Sequence, residues 1–119
     1  AKVAWPERQV VAICGDGGFM MTGQELATAV QHQINLPVVI FNDHGYGALR
    51  ETQDIEFSGR RIGVDLTTPD FVRLAEAFGA QGVRVEQLEE LVPALSQALA
   101  TPKPTLIEVA GPLIESLSS

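Results

Sequence analysis

Residues 10–18, VVAICGDGG, set an apolar β-branched run directly against a carboxylate held between glycines, Gly15-Asp16-Gly17-Gly18. The run predicts a buried strand over residues 8–14. A second junction of the same kind follows, where PVVIFN, residues 37–42, passes into Asp43-His44-Gly45. Residues 37–42 are the second predicted strand. Between the two, Thr22-Gly23-Gln24-Glu25 has the T-x-x-E form of a capping box and predicts a helix start. Leu26, Ala27 and Val30 carry that helix at the right spacing, and Asn35-Leu36-Pro37 ends it.

Downstream, residues 43–53 read as a loop entering a short helix through Tyr46-Gly47-Ala48-Leu49-Arg50, and residues 54–67 are polar and turn-rich. Thr68-Pro69-Asp70 predicts a helix start, with Thr68 as N-cap, Pro69 in the first helical position and Asp70 in the first turn. Phe71, Leu74, Ala75 and Phe78 form its apolar stripe, and Gly79 follows as a stop. A strand over 82–85, a helix over 87–99 that Pro93 bends or shortens, a strand over 105–109 and a polar tail complete the chain. This alternation predicts an α/β fold: a three-layer, doubly wound parallel sheet with helices on both faces. Ala1–Trp5 reads as the last turn of a helix. The expectation is therefore a sheet incomplete at its N-terminus, residues 1–119 being one domain of a longer multidomain chain.

In such sheets ligands bind outside the carboxyl ends of the strands. Asp16 and Asp43 both fall just past such ends, and consecutive strands are neighbours roughly two-thirds of the time. Two carboxylates brought together repel unless a positive charge lies between them. A hard divalent cation serves, and magnesium typically takes one or two carboxylates plus phosphate and water oxygens. The flanking glycines let a phosphate approach closely. Amides of Gly17, Gly18 and Phe19 near a helix start favour an anion. The residues thus point to a Mg–diphosphate site with Asp16, Asp43 and a backbone carbonyl near Gly45 on the metal.

Composition agrees. A chain of 119 residues with 45% hydrophobic side chains can bury one core. A net charge of −7 disfavours nucleic acid as a partner. No apolar run is long enough to span a bilayer, and no signal peptide pattern opens the sequence. The single Cys14 reads as a buried small hydrophobe, consistent with a reducing, cytoplasmic setting.

Gly15-Asp16-Gly17, then 24 residues, then Asn42-Asp43 resembles the thiamine-diphosphate signature. The flanks VVAICGDGGFMMTGQELATAV and PVVIFNDHGYGALR resemble the diphosphate-binding domain of the acetolactate synthase and benzoylformate decarboxylase group. The resemblance implies that Asp16 is the first metal ligand, that Asp43 stands at the second, and that Gly45 supplies a carbonyl. It implies thiamine diphosphate and Mg2+ as cofactors, held by Gly15, Asp16, Gly17, Gly18, Phe19, Asp43, Gly45 and Tyr46. The implied activity is decarboxylation of a 2-oxo acid, with release or transfer of the acyl group. Its catalytic Glu would sit on a pyrimidine-binding domain of the same or a partner chain, in a homodimer or homotetramer, so this stretch alone would not turn over.

The sequence departs from the family pattern in four places. Asp43 replaces an Asn, which adds a charge near the diphosphate. Gly18 stands where many relatives have Ser. Leu49 occupies the position of the catalytic Glu of yeast-type pyruvate decarboxylases. Thr52 occupies that of the acceptor-pocket Trp of acetolactate synthases. A separate small subunit of a two-subunit enzyme is an alternative. A Mg-binding receiver domain is another, but the Lys it needs after the last strand is missing, and a dinucleotide fold lacks G-x-G-x-x-G.

Bland readings cover most other residues. His44 reads as a solvent-facing loop residue more readily than a phosphate contact, and His32 as a last-turn cation. Arg60 and Arg61 read as a solvated loop, and Met20 and Met21 as core or interface filler. Tyr46 and Leu49 divide evenly between pocket lining and packing.

Overall fold

The computed structural model describes residues 1–111 and Ile114. Four strands, β1 (Ala12–Gly15), β2 (Pro37–Asn42), β3 (Gln81–Val85) and β4 (Thr105–Ala110), form one parallel sheet in the order β1-β2-β4-β3. Five helices connect them: α1 (Asp16–Thr22), α2 (Leu26–Gln31), α3 (Gly47–Glu56), α4 (Phe71–Phe78) and α5 (Leu88–Ala100). Alternation along the central strands gives each sheet face its own core. Val38 and Ile40 of β2 and Leu106 of β4 pack with Phe19, Leu26, Phe71 and Ala75 from α1, α2 and α4. Val39, Ile107 and Val109 face the other way, onto Val85 and onto Ala98 of α5. Helices on both faces are the predicted three layers.

Several predicted boundaries move. β1 begins not near residue 8 but at Ala12, where its pairing with β2, Ala12 to Val38 through Gly15 to Phe41, begins. The chain enters a helix at Asp16, six residues before the predicted start, and a 3₁₀ turn over Gly23–Glu25 separates α1 from α2. The capping box does not form: Thr22 makes no side-chain cap bond there, and Glu25 sits at the start of α2 without one. At α4 the cap is Asp70, whose Oδ1 accepts from the Arg73 N–H at 3.1 Å. Pro69 therefore lies outside the helix, and Thr68 is free for another task. Gly79 ends α4 in the left-handed region at φ 83°, as predicted. The capping box that does exist joins Gln87 and Glu90 at α5, and Pro93 lies inside that helix without delaying its start.

Met20 and Met21 are exposed rather than core. Cys14 is half-buried against the first core, and burial pushes its thiol pKa up. Ala1–Trp5 forms a single turn, its Trp5 N–H bonded to the Ala1 carbonyl at 3.0 Å. The polar tail lies, apart from Ala110, Gly111 and Ile114, outside the described residues. No helix among the described residues is long and apolar enough to cross a membrane.

Candidate functional site

β1 and β2 are neighbours, so their carboxyl ends lie side by side. At the first, Gly15 leaves the strand in an extended conformation and caps α1, making Asp16 the first helical residue. Asp16 is fully buried. Its Oδ2 accepts from the Gly45 N–H at 2.9 Å, which ties the first strand end to the turn after the second. Its Oδ1 is buried and has no hydrogen-bond partner among the described residues. A bare carboxylate oxygen in that setting is costly unless a proton or a cation meets it.

The second turn is held from three sides. Asn42 is buried, and its Nδ2 donates to Glu108 Oε1 on β4 at 2.6 Å. Its Oδ1 accepts from Thr68 Oγ1 at 3.1 Å and from the His44 N–H at 3.4 Å. Since the Thr68 hydroxyl has one hydrogen and Asn42 takes it, the 2.8 Å contact between Thr68 Oγ1 and His44 Nδ1 has the imidazole donating. Glu108 Oε2 meets Arg84 at 2.9 Å, and Arg84 meets Asp70 at 3.2 Å. The hydrogen bond to Glu108 raises the guanidinium's pKa further. His44 stands in the left-handed region at φ 57°, which turns its carbonyl back toward the Leu66 N–H, 2.8 Å away. The Tyr46 N–H reaches the Val64 carbonyl at 2.9 Å, so Val64–Leu66 flanks the turn as a second edge.

Arg50, in the first turns of α3, spreads its guanidinium over the same loop. Nε donates to Asp65 Oδ1 at 2.8 Å, and Nη1 donates to the Asp43 carbonyl at 3.1 Å and to Asp43 Oδ2 at 3.2 Å. Nη2 donates to the His44 carbonyl. Asp43 Oδ1 and the Gly45 carbonyl take no hydrogen bond among the described residues.

Gly15, Gly17, Gly18, Asp43, Gly45 and Tyr46 line one open cleft of about 350 Å³, to which Leu49 also contributes. Asp16 is bonded to one of these lining residues, Gly45. Tyr46 lies so close over Gly17 that a Cβ there would sit 2.4 Å from its ring. The Phe19 ring lies outside this lining and packs edge-on to Phe71 at 5.6 Å. A larger hollow of about 740 Å³ is lined by Ile34, Asn35 and Pro102, which precede β2 and β4, and so opens at the opposite end of the sheet. Among the described residues no three His, Cys, Asp or Glu side chains gather as a metal cage. An ion in the cleft would use two carboxylates and backbone oxygen.

The sequence reading missed Arg50, Glu108 and Thr68. Glu108 had a signal, an acid inside the apolar strand TLIEV, which demands a partner. Arg60 and Arg61 are exposed, and Arg61 pairs with Asp54 at 2.6 Å.

A parallel sheet with an acid-and-glycine cleft at two adjacent carboxyl ends defines an α/β domain built for an anionic ligand and its counter-ion. The family model "Thiamine pyrophosphate enzyme, C-terminal TPP binding domain" matches residues 1–109, and the chain belongs to that family. Membership sets the receiver-domain alternative aside. The chain is 38% identical over 109 residues to the putative thiamine pyrophosphate-containing protein YdaP of Bacillus subtilis, covering 92% of this chain and 19% of that protein. It is 40% identical over 111 residues to an acetolactate synthase large subunit of Parasynechococcus marenigrum, covering 92% and 18%. Among solved structures, a Rhodococcus jostii RHA1 thiamine diphosphate-dependent 4-hydroxybenzoylformate decarboxylase superposes with a TM-score of 0.85 at 40% identity, covering 92% of this chain and 21% of that one. The chain thus spans about a fifth of the length of these relatives.

Proposed function

We propose that the cleft holds the magnesium–diphosphate end of thiamine diphosphate, as part of an enzyme that decarboxylates a 2-oxo acid and releases or transfers the acyl group. The observation that carries this is Asp16: a wholly buried carboxylate with one oxygen fixed by Gly45 and the other without a hydrogen-bond partner among the described residues. Asp43 Oδ1 and the Gly45 carbonyl likewise take no hydrogen bond among the described residues. Two of these oxygens belong to cleft-lining residues and the third to Asp16, bonded to the lining Gly45, a donor set that suits a hard cation completing its shell with phosphate and water. Gly18, exposed and with open space at its Cα, leaves room for the diphosphate to approach.

Bound thiamine diphosphate supplies the stabilisation of the acyl carbanion. This chain's residues bind and orient. Asp16 anchors the ion and locks the Gly45 turn to the first strand end. Asn42, Glu108 and Thr68 fix the backbone of that turn. Tyr46 closes the cleft beside Gly17. The proposed remainder of the enzyme includes a pyrimidine-binding domain, a homodimeric or homotetrameric assembly and a cytoplasmic location.

Titration calorimetry on the intact enzyme tests the reading. Thiamine diphosphate should bind in the presence of Mg2+, lose that affinity on chelation, and fail to bind the Asp16→Ala protein. Undiminished binding by Asp16→Ala overturns it.

A further inference from the structure

We propose that Arg50 is the positioning residue that allows an acid, rather than an amide, to serve as the second metal ligand. The inference rests on the cofactor reading above. An Asp at position 43 brings a full negative charge toward a diphosphate that is itself anionic, and like charges at that range oppose each other. The structure pairs that charge. Arg50 Nη1 meets Asp43 Oδ2 at 3.2 Å, with the guanidinium 18% and the carboxylate 34% exposed. The pair is partly shielded from water and from salt.

The arrangement also fixes which oxygen is offered. Oδ2 is occupied by Arg50, while Oδ1 of Asp43, a cleft-lining residue, has no donor among the described residues. An Asn has one oxygen to give. An Asp has two, and Arg50 removes the ambiguity.

Two glycines make room for the pair. A Cβ on Gly45 would fall 2.0 Å from Arg50 Nη2 and 2.3 Å from the Val64 carbonyl oxygen. A Cβ on Gly47 would fall 2.7 Å from Asp43 Oδ2. The remaining guanidinium bonds, to Asp65 and to the Asp43 and His44 carbonyls, hold the turn whose Gly45 carbonyl is the third proposed ligand. A lysine places one point charge and cannot span these acceptors.

A double-mutant cycle on the intact enzyme tests this. The Mg2+ concentration giving half-maximal thiamine diphosphate binding is measured for parent, Arg50→Gln, Asp43→Asn and the double variant. Thermal unfolding of each cofactor-free protein is recorded alongside. Arg50→Gln should raise the Mg2+ midpoint by about tenfold or more in the parent, the loss expected when a charged group is left without its partner. In the Asp43→Asn background the same change should raise it less than about twofold. Equal losses in both backgrounds mean that Arg50 only scaffolds the loop, and overturn the proposal. Arg50→Lys serves where Arg50→Gln fails to fold, because it keeps the charge: a smaller shift than about tenfold that disappears with Asp43→Asn supports the proposal, and equal shifts overturn it. If Asp16→Ala binds cofactor as the parent does, the cofactor reading fails. If it does not bind and the cycle shows no coupling, only the role of Arg50 fails.

Discussion

Gly45 and Gly18 both line the cleft, yet their surroundings differ. A Cβ on Gly45 would strike the Val64 carbonyl at 2.3 Å, and backbone yields little, whereas around Gly18 nothing lies within 4 Å. Gly45→Ala should therefore destabilise the protein by about 1–3 kcal/mol, the usual cost of forced overpacking. Gly18→Ala, at a helical position with room for the methyl, should hold or raise its unfolding midpoint. Urea titrations of both variants check the pair, and a Gly45→Ala midpoint equal to the parent's would contradict the packing described. At this scale the acids stood out in the sequence as a pair at two strand ends, since either alone would read as a cap or a turn former. Arg50 was not legible. Two of its four acceptors are backbone carbonyls, and carbonyls look alike in every sequence.

Helix starts show why local signals mislead. Thr22-x-x-Glu25 has the letters of a capping box but lies within a continuous helical path, while α1 begins on a glycine-rich segment of low helix propensity. Tertiary ties decide the matter: Asp16 is bonded to Gly45 at one end of α1 and Phe19 is packed on Phe71 along it. At α4, Thr68 is the better hydroxyl cap by sequence, but it is drawn to Asn42 and His44, and Asp70 takes the role. The Arg73 N–H it accepts, followed by the nearby Arg84 charge and hydrogen bonds, holds the Asp70 carboxyl below the usual carboxylate range. A group whose folded pKa is depressed contributes stability above its unfolded pKa and loses it as pH falls through the folded one. Asp70→Ala should thus lower the melting temperature at neutral pH. The gap between variant and parent should close as the pH drops below the ordinary Asp value, and a gap that persists in acid would contradict the cap.

Across the whole molecule, the layered architecture was legible because buried parallel strands are short apolar runs separated by helical periods. The order β1-β2-β4-β3 was not, because the length of a crossover does not say on which side the next strand docks. The first core depends on Phe71, wholly buried and edge-on to Phe19. Phe71→Ala should cost about 3–5 kcal/mol of stability. It should also weaken metal-dependent cofactor binding, because the helix that Phe19 anchors begins with Asp16; denaturation curves and calorimetry would show the two losses together. Helix α3 stands apart from this dependence, for none of its ten residues is buried. Ala48 and Leu49 nonetheless form part of the cleft wall. The fold therefore places little selective constraint on that wall, and homologues can diverge there while conserving the scaffold, which is how one ancestral frame can give rise to catalysts with unlike substrates.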